Sequence, residues 1–100
     1  MASSLVLGLA KVVLHLPDSG SLKAKRQAVS GLLRRVRDKY QVAAAEVGER
    51  DRWQLAELAV ACVSADSSHA DEVLANVLSY IESHSDGARI TDVSTELIRL

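Results

Sequence analysis

Ser21 to Lys39, SLKAKRQAVSGLLRRVRDK, constrains the fold more than any other stretch, because it reads as an amphipathic helix that needs a second layer. With Leu22 at the origin and about 100° of rotation per residue, Leu22, Val29, Leu32, Leu33, Val36 and Tyr40 share one face. Helices in proteins owe most of their stability to burying such a face. Ser21 is placed to cap the N-terminus. An adjacent stripe, roughly 100° wide, carries Lys23, Arg26, Gln27, Ser30, Arg34 and Arg37. Lys25 breaks the pattern. It projects from the apolar side, so it must lie where the core is open or find a carboxylate.

The flanking segments supply the second layer. Ser4 to Leu16, SLVLGLAKVVLHL, is almost continuously apolar and stops at Pro17. Gly8 within it and the Pro-Asp-Ser-Gly turn after it favour a strand over a helix. Gln41 to Val47 reads as a short strand, closed by Gly48 and the polar run Glu49-Arg50-Asp51-Arg52. Gln54 to Ala65 is apolar, and Val60, Cys62 and Val63 suit a buried strand.

A second helix follows, capped by Ser67 or Ser68, with Asp71 and Glu72 expected in its first turn. Ala70, Val73, Leu74, Val77, Leu78 and Ile81 recur at helical spacing, and Gly87 is placed to end the segment. Arg89 to Leu100 closes as a strand. The order βαββαβ, with right-handed crossovers, is best satisfied by an α+β ferredoxin-like two-layer sandwich. It has a four-stranded antiparallel sheet with both helices on one face, as a single domain over residues 1–100. Strands one and three are expected at the centre, running parallel. Alternation in strand one turns Val6, Gly8, Ala10, Val12 and Leu14 to the helices and leaves Leu5, Leu7, Leu9 and Val13 on the open face. An exposed apolar face of that size predicts a homodimer.

Charge is unevenly spread. Seven of the twelve Lys and Arg residues fall within 21–39 against one acid, Asp38, although the whole chain carries a net charge of −1. The local field therefore says more about partners than the total does. Cys62 is the single cysteine, which excludes an intrachain disulfide and fits a reducing compartment. The apolar start lacks a basic leader region and continues into the strand pattern, and no run reaches the ~20 apolar residues of a membrane helix. A soluble, cytoplasmic domain without membrane contact is expected.

Phosphate binding along the basic stripe is the strongest chemical signal, against the alternative of a solvated charged face. Ser21, Lys23, Arg26, Arg34 and Arg37 are the candidate nucleic-acid or anion-binding residues. The first turn, with Lys23, Lys25 and Arg26 beside free backbone N–H groups, calls for something negative. Lys25 is expected to pair internally with Glu46 or Glu57, Glu46 being the partner chosen, leaving Lys23 and Arg26 for an external anion. His15, His69 and His84 have no zinc spacing, so no metal is expected. Trp53 is expected to cover the open end of the core. With no phosphate loop, nucleophile elbow or cofactor motif, an enzyme is the least supported class and no cofactor is expected. The central strands lack an aromatic pair for base stacking.

The stretches SLKAKR and YQVAAAEVGERDRWQLAELAVACVS, with HLPDSG before them and Ser-His-Ala-Asp-Glu-Val after, resemble the YlxP-like family of small bacterial proteins. The most specific pieces are Ser21-Leu22-Lys23 with Lys25-Arg26, Glu46 and Trp53. Two positions depart from the pattern: Gly20 where an arginine is usual, and Gln41 where an asparagine is usual. The resemblance implies a ferredoxin-like fold and a bacterial cytoplasmic home. Family genes lying beside translation-factor and ribosome-maturation genes imply work on RNA or the ribosome. It carries no catalytic residues across. The reading is a small non-enzymatic binding module that contacts RNA or a ribonucleoprotein through helix 21–39. The alternative is a homo-oligomeric interaction or regulatory domain that binds a partner protein or small anion.

Overall fold

The computed structural model describes residues 4–100; residues 1–3, part of the single-domain expectation, lie outside the described residues. Along the chain come β1 (Val6–His15), α1 (Leu22–Tyr40), β2 (Ala43–Gly48), β3 (Leu55–Ser64), α2 (Ser67–Ser83) and β4 (Arg89–Arg99). The four strands form one sheet in the order β2-β3-β1-β4, with β1 and β3 at its centre. Every neighbouring pair is antiparallel, including β1 with β3. The expectation that β1 and β3 run parallel is therefore corrected. The parallel partners in a split βαβ unit are β1 and β2, and β3 is inserted between them.

Alternation decides which residues enter the core. Val6, Ala10, Val12 and Leu14 of β1 and Ala56, Leu58, Val60 and Cys62 of β3 are buried under the helices. From above, Val29, Leu32, Leu33 and Val36 of α1 meet Ala70, Leu74, Val77 and Ile81 of α2 in the same cluster. Gly8 is required by close approach. A Cβ there would lie 3.1 Å from Cys62 Sγ and 3.2 Å from Leu74 Cδ1, so its absence lets α2 settle onto β1.

Helix ends show which side chains satisfy the orphan backbone groups. Ser21 is extended and its Oγ accepts the Ala24 N–H at 3.0 Å. For α2 the cap is Asp66, not Ser67 or Ser68: Asp66 Oδ1 accepts the Ser68 N–H at 2.9 Å. The helix thus starts one to two residues earlier than the sequence suggests, and Asp71 and Glu72 fall beyond a first turn that holds no acid. At the end of α1, Gln41 takes the left-handed conformation, φ 54°, and closes the helix through its N–H to the Arg37 carbonyl at 3.0 Å. Among the described residues no helix is long and apolar enough to cross a membrane.

Candidate anion-binding groove on helix α1

The seven cations of α1 divide by what they touch. Lys25 is fully buried. Its Nζ lies 2.9 Å from Glu46 Oε2 and donates to the carbonyls of Glu49 at 2.6 Å and Leu55 at 2.9 Å. The two carbonyls take two of the ammonium's three protons, and the carboxylate supplies the opposite charge. Glu57, the other carboxylate considered for Lys25, instead faces the open side of the sheet, where its Oε1 is 3.4 Å from Lys11 Nζ. Arg35 donates to the His84 carbonyl at 3.3 Å, placing a cation at the C-terminus of α2 where the macrodipole favours it. Arg37 donates to the Ala44 carbonyl at 3.0 Å and so occupies a backbone acceptor of edge strand β2. Lys39 Nζ sits over the Tyr40 ring, 5.7 Å from its centroid.

Three cations remain. Lys23, Arg26 and Arg34 are in none of the ion pairs of the described residues, which are Lys11–Glu57, Lys25–Glu46 and Arg52–Glu49. The same three line a shallow groove on the outer face of α1, together with Gln27, Ser30 and Gly31. Among the described residues no carboxylate lines it. From Lys23 to Arg34 it runs about 16 Å along the helix axis. Gly31 lies in mid-helix, where glycine costs stability. Its missing side chain leaves the floor between Gln27 and Arg34 open.

Two candidate residues stand apart from this groove. The Ser21 hydroxyl is engaged as the helix cap, and Arg37 is turned to the β2 edge. Trp53 does not cover the core: it stands in the β2–β3 loop, 53% exposed, beside His15, Arg52 and Gln54. Lys25 fixes the two ends of that loop from below, since its carbonyl partners Glu49 and Leu55 bracket it.

Other reactive groups have structural surroundings. Cys62 is buried, and burial pushes its thiol above the ordinary range, with the Asp71 carboxylate adding to the effect. His84 stacks on Tyr80 with ring centroids 4.1 Å apart. Among the described residues no group of three or more His, Cys, Asp or Glu side chains is arranged to hold a metal ion.

Residues 7–95 match the family described as "Protein of unknown function (DUF503)". The chain belongs to this family. It is similar to the "Uncharacterized protein YlxP" of Bacillus subtilis (strain 168), 35% identical over 78 residues, covering 78% of this chain and 85% of the relative. Among solved structures it resembles the de novo designed protein Foldit4, with a TM-score of 0.54 and 14% identity. That match covers 94% of this chain and 96% of the design. A second de novo design, LFR1 1 with ferredoxin fold, matches at a TM-score of 0.50 and 14% identity, over 94% of this chain and 83% of the design. Identities this low bear on the fold alone, and they agree with the ferredoxin-like architecture.

Proposed function

We propose that this chain is a small, non-enzymatic module that binds RNA, or the RNA-rich surface of a ribonucleoprotein, along helix α1. One observation carries the reading: the three α1 cations without an intramolecular partner among the described residues line one groove to which those residues contribute no acid. A solvated charged face would interleave both signs and leave its free cations scattered. Here every cation that could blur the pattern is used elsewhere in the fold. Ser30 and Gln27 add uncharged donors suited to phosphate oxygens. The contact is to the backbone, because the groove holds no aromatic ring on which a base could stack. A cytoplasmic location goes with this reading, as does the absence of any reacting group in the groove.

Binding through three cations gives a shallow salt dependence, with log K falling against log salt at a slope of roughly −2 for single-stranded RNA. Fluorescence anisotropy of a labelled single-stranded oligoribonucleotide tests this. Lys23→Glu with Arg34→Glu should abolish retention at low salt while the fold is unchanged. Equal affinity in that double variant would end the proposal.

A further inference from the structure

The sheet face turned away from the helices is covered by no described element, and its relief is divided into two halves. Register places Leu7, Leu9 and Val13 of β1 there, with Ile98 of β4 beside Leu7. These form a ridge. Across the midline, Ala59 and Ala61 of β3 pair with Ala45 and Ala43 of β2, and together they form a flat shelf. Val63, at the end of the shelf, is 72% exposed. Apolar area of this kind on a two-layer sandwich marks an interface.

We propose that a second copy of this chain covers this face, in a two-fold sheet-to-sheet dimer whose axis runs along the strands between β1 and β3. Such an axis lays β1 of each copy on β3 of the other, so ridge meets shelf twice. The area suffices. Strands of this number and length present roughly 600 Å² of sheet per copy, or about 1,200 Å² for the pair, above the ~1,000 Å² that a specific interface needs. Charge is complementary as well. Lys11 and Glu57, the charged pair within the β1–β3 face, lie on either side of the axis. In the dimer, Lys11 of one copy stands over Ala59 of the other, one register pair along from Glu57, and meets that carboxylate by the same diagonal reach that joins the two within one chain, and the reverse. Asp92, Ser94 and Glu96 of β4 flank the ridge and supply the polar rim. A face that holds both a shape and its counterpart, and both signs of charge, fits its own copy in an isologous contact. A lipid surface would be met by neither feature. The dimer is independent of the RNA reading, because it leaves both α1 helices facing outward.

Sedimentation of the intact chain at tens of micromolar tests the proposal, and a mass of two chains is expected. Val63→Asp should give a single-chain mass with unchanged circular dichroism and a cooperative melt. Lys11→Glu and Glu57→Lys should each weaken the dimer about tenfold or more. Mixing these two variants should restore association, because opposite charges then meet across the axis at both positions while each chain stays mismatched within itself. A wild-type mass of one chain overturns the proposal, and flotation of that monomer with phosphatidylcholine vesicles would assign the face to lipid. A dimer that persists in Val63→Asp, or a mixture no tighter than its parts, also overturns it.

Discussion

Lys25 Nζ lies 2.9 Å from Glu46 Oε2, with the lysine fully buried and the glutamate side chain 13% exposed. The contact is ionic rather than a directed hydrogen bond, and that carboxylate oxygen has no hydrogen-bond partner among the described residues. It joins the first turn of α1 to β2. Through the Glu49 and Leu55 carbonyls it also joins α1 to the loop that carries Trp53. The ammonium that looks misplaced on the helical wheel is therefore what fixes α1 against the sheet. Its neighbours Lys23 and Arg26 stay outside.

Removing one partner of a buried pair is costly, because the other keeps its charge without compensation. Lys25→Met should destabilise the chain by about 3–5 kcal/mol. Lys25→Met with Glu46→Met should recover part of that loss, the remainder reflecting the two carbonyls left without a donor. Urea denaturation of both variants checks the order; a double variant as unstable as the single would mean that the carbonyl bonds dominate.

Arg34 and Arg37 lie on the same stripe of α1, but only Arg34 lines the groove. Arg34→Glu should weaken RNA binding by several-fold and leave stability within about 0.5 kcal/mol. Arg37→Ala should do the opposite, sparing RNA binding and costing about 0.5–1.5 kcal/mol for the lost bond to Ala44. Anisotropy and denaturation on the same two proteins separate the effects.

These two residues mark how far the sequence can be read. Periodicity gave the element order, since the change from period 2 to 3.6 is visible in residues 4–40 and again in 54–83. Lys25 was legible as the cation on the wrong face. Its expected partner, Glu46, is the one the structure shows, although the β2–β3 register that brings it there shifts between Glu46 and Gly48 and is not legible in the sequence. The bond of Arg37 to Ala44 is not legible, because a wheel angle says nothing about an edge carbonyl within reach of a long side chain. The α2 cap was displaced because Asp66, Ser67 and Ser68 are all competent acceptors, and only backbone geometry selects among them. The direction of β1 against β3 follows from topology, not from any residue.

The Ser68 backbone N–H, and secondarily its hydroxyl, hold the Asp66 carboxyl below the usual carboxylate range. A lowered folded-state value means that the cap stabilises above the ordinary range near ~4 and loses its effect as pH falls through the lowered value. Asp66→Ala should melt at a lower temperature than wild type at neutral pH, and the gap should narrow below that range. Thermal melts from neutral to strongly acidic pH check this; a gap constant with pH would show that the carboxylate charge contributes nothing.

Gln41 sits at φ 54°, where an L-residue with a Cβ is disfavoured by roughly 1–2 kcal/mol. Glycine has no such penalty, and its extra freedom in the unfolded chain offsets only part of the gain. Gln41→Gly should therefore stabilise the chain by up to about 1 kcal/mol, read as a higher denaturation midpoint with unchanged slope.

Gly8→Ala brings two opposing effects into one site. Glycine within a strand is worse than alanine by roughly 0.5–1 kcal/mol, which favours the substitution. The new methyl, however, would meet Cys62 Sγ at 3.1 Å and Leu74 Cδ1 at 3.2 Å, inside a packed core. Overpacking of that kind costs about 1–3 kcal/mol, so it outweighs the backbone gain and Gly8→Ala should destabilise. Half of the obstruction is the sulfur. In a Cys62→Ala background the methyl has room on that side, and only Leu74, a flexible chain end, has to give. The same substitution should then be nearly neutral or favourable. A double-mutant cycle by denaturation reads this as a coupling of about 1 kcal/mol or more in favour of the double variant. Strict additivity would mean that Leu74 alone sets the cost, and that Gly8 is required by α2 and not by β3.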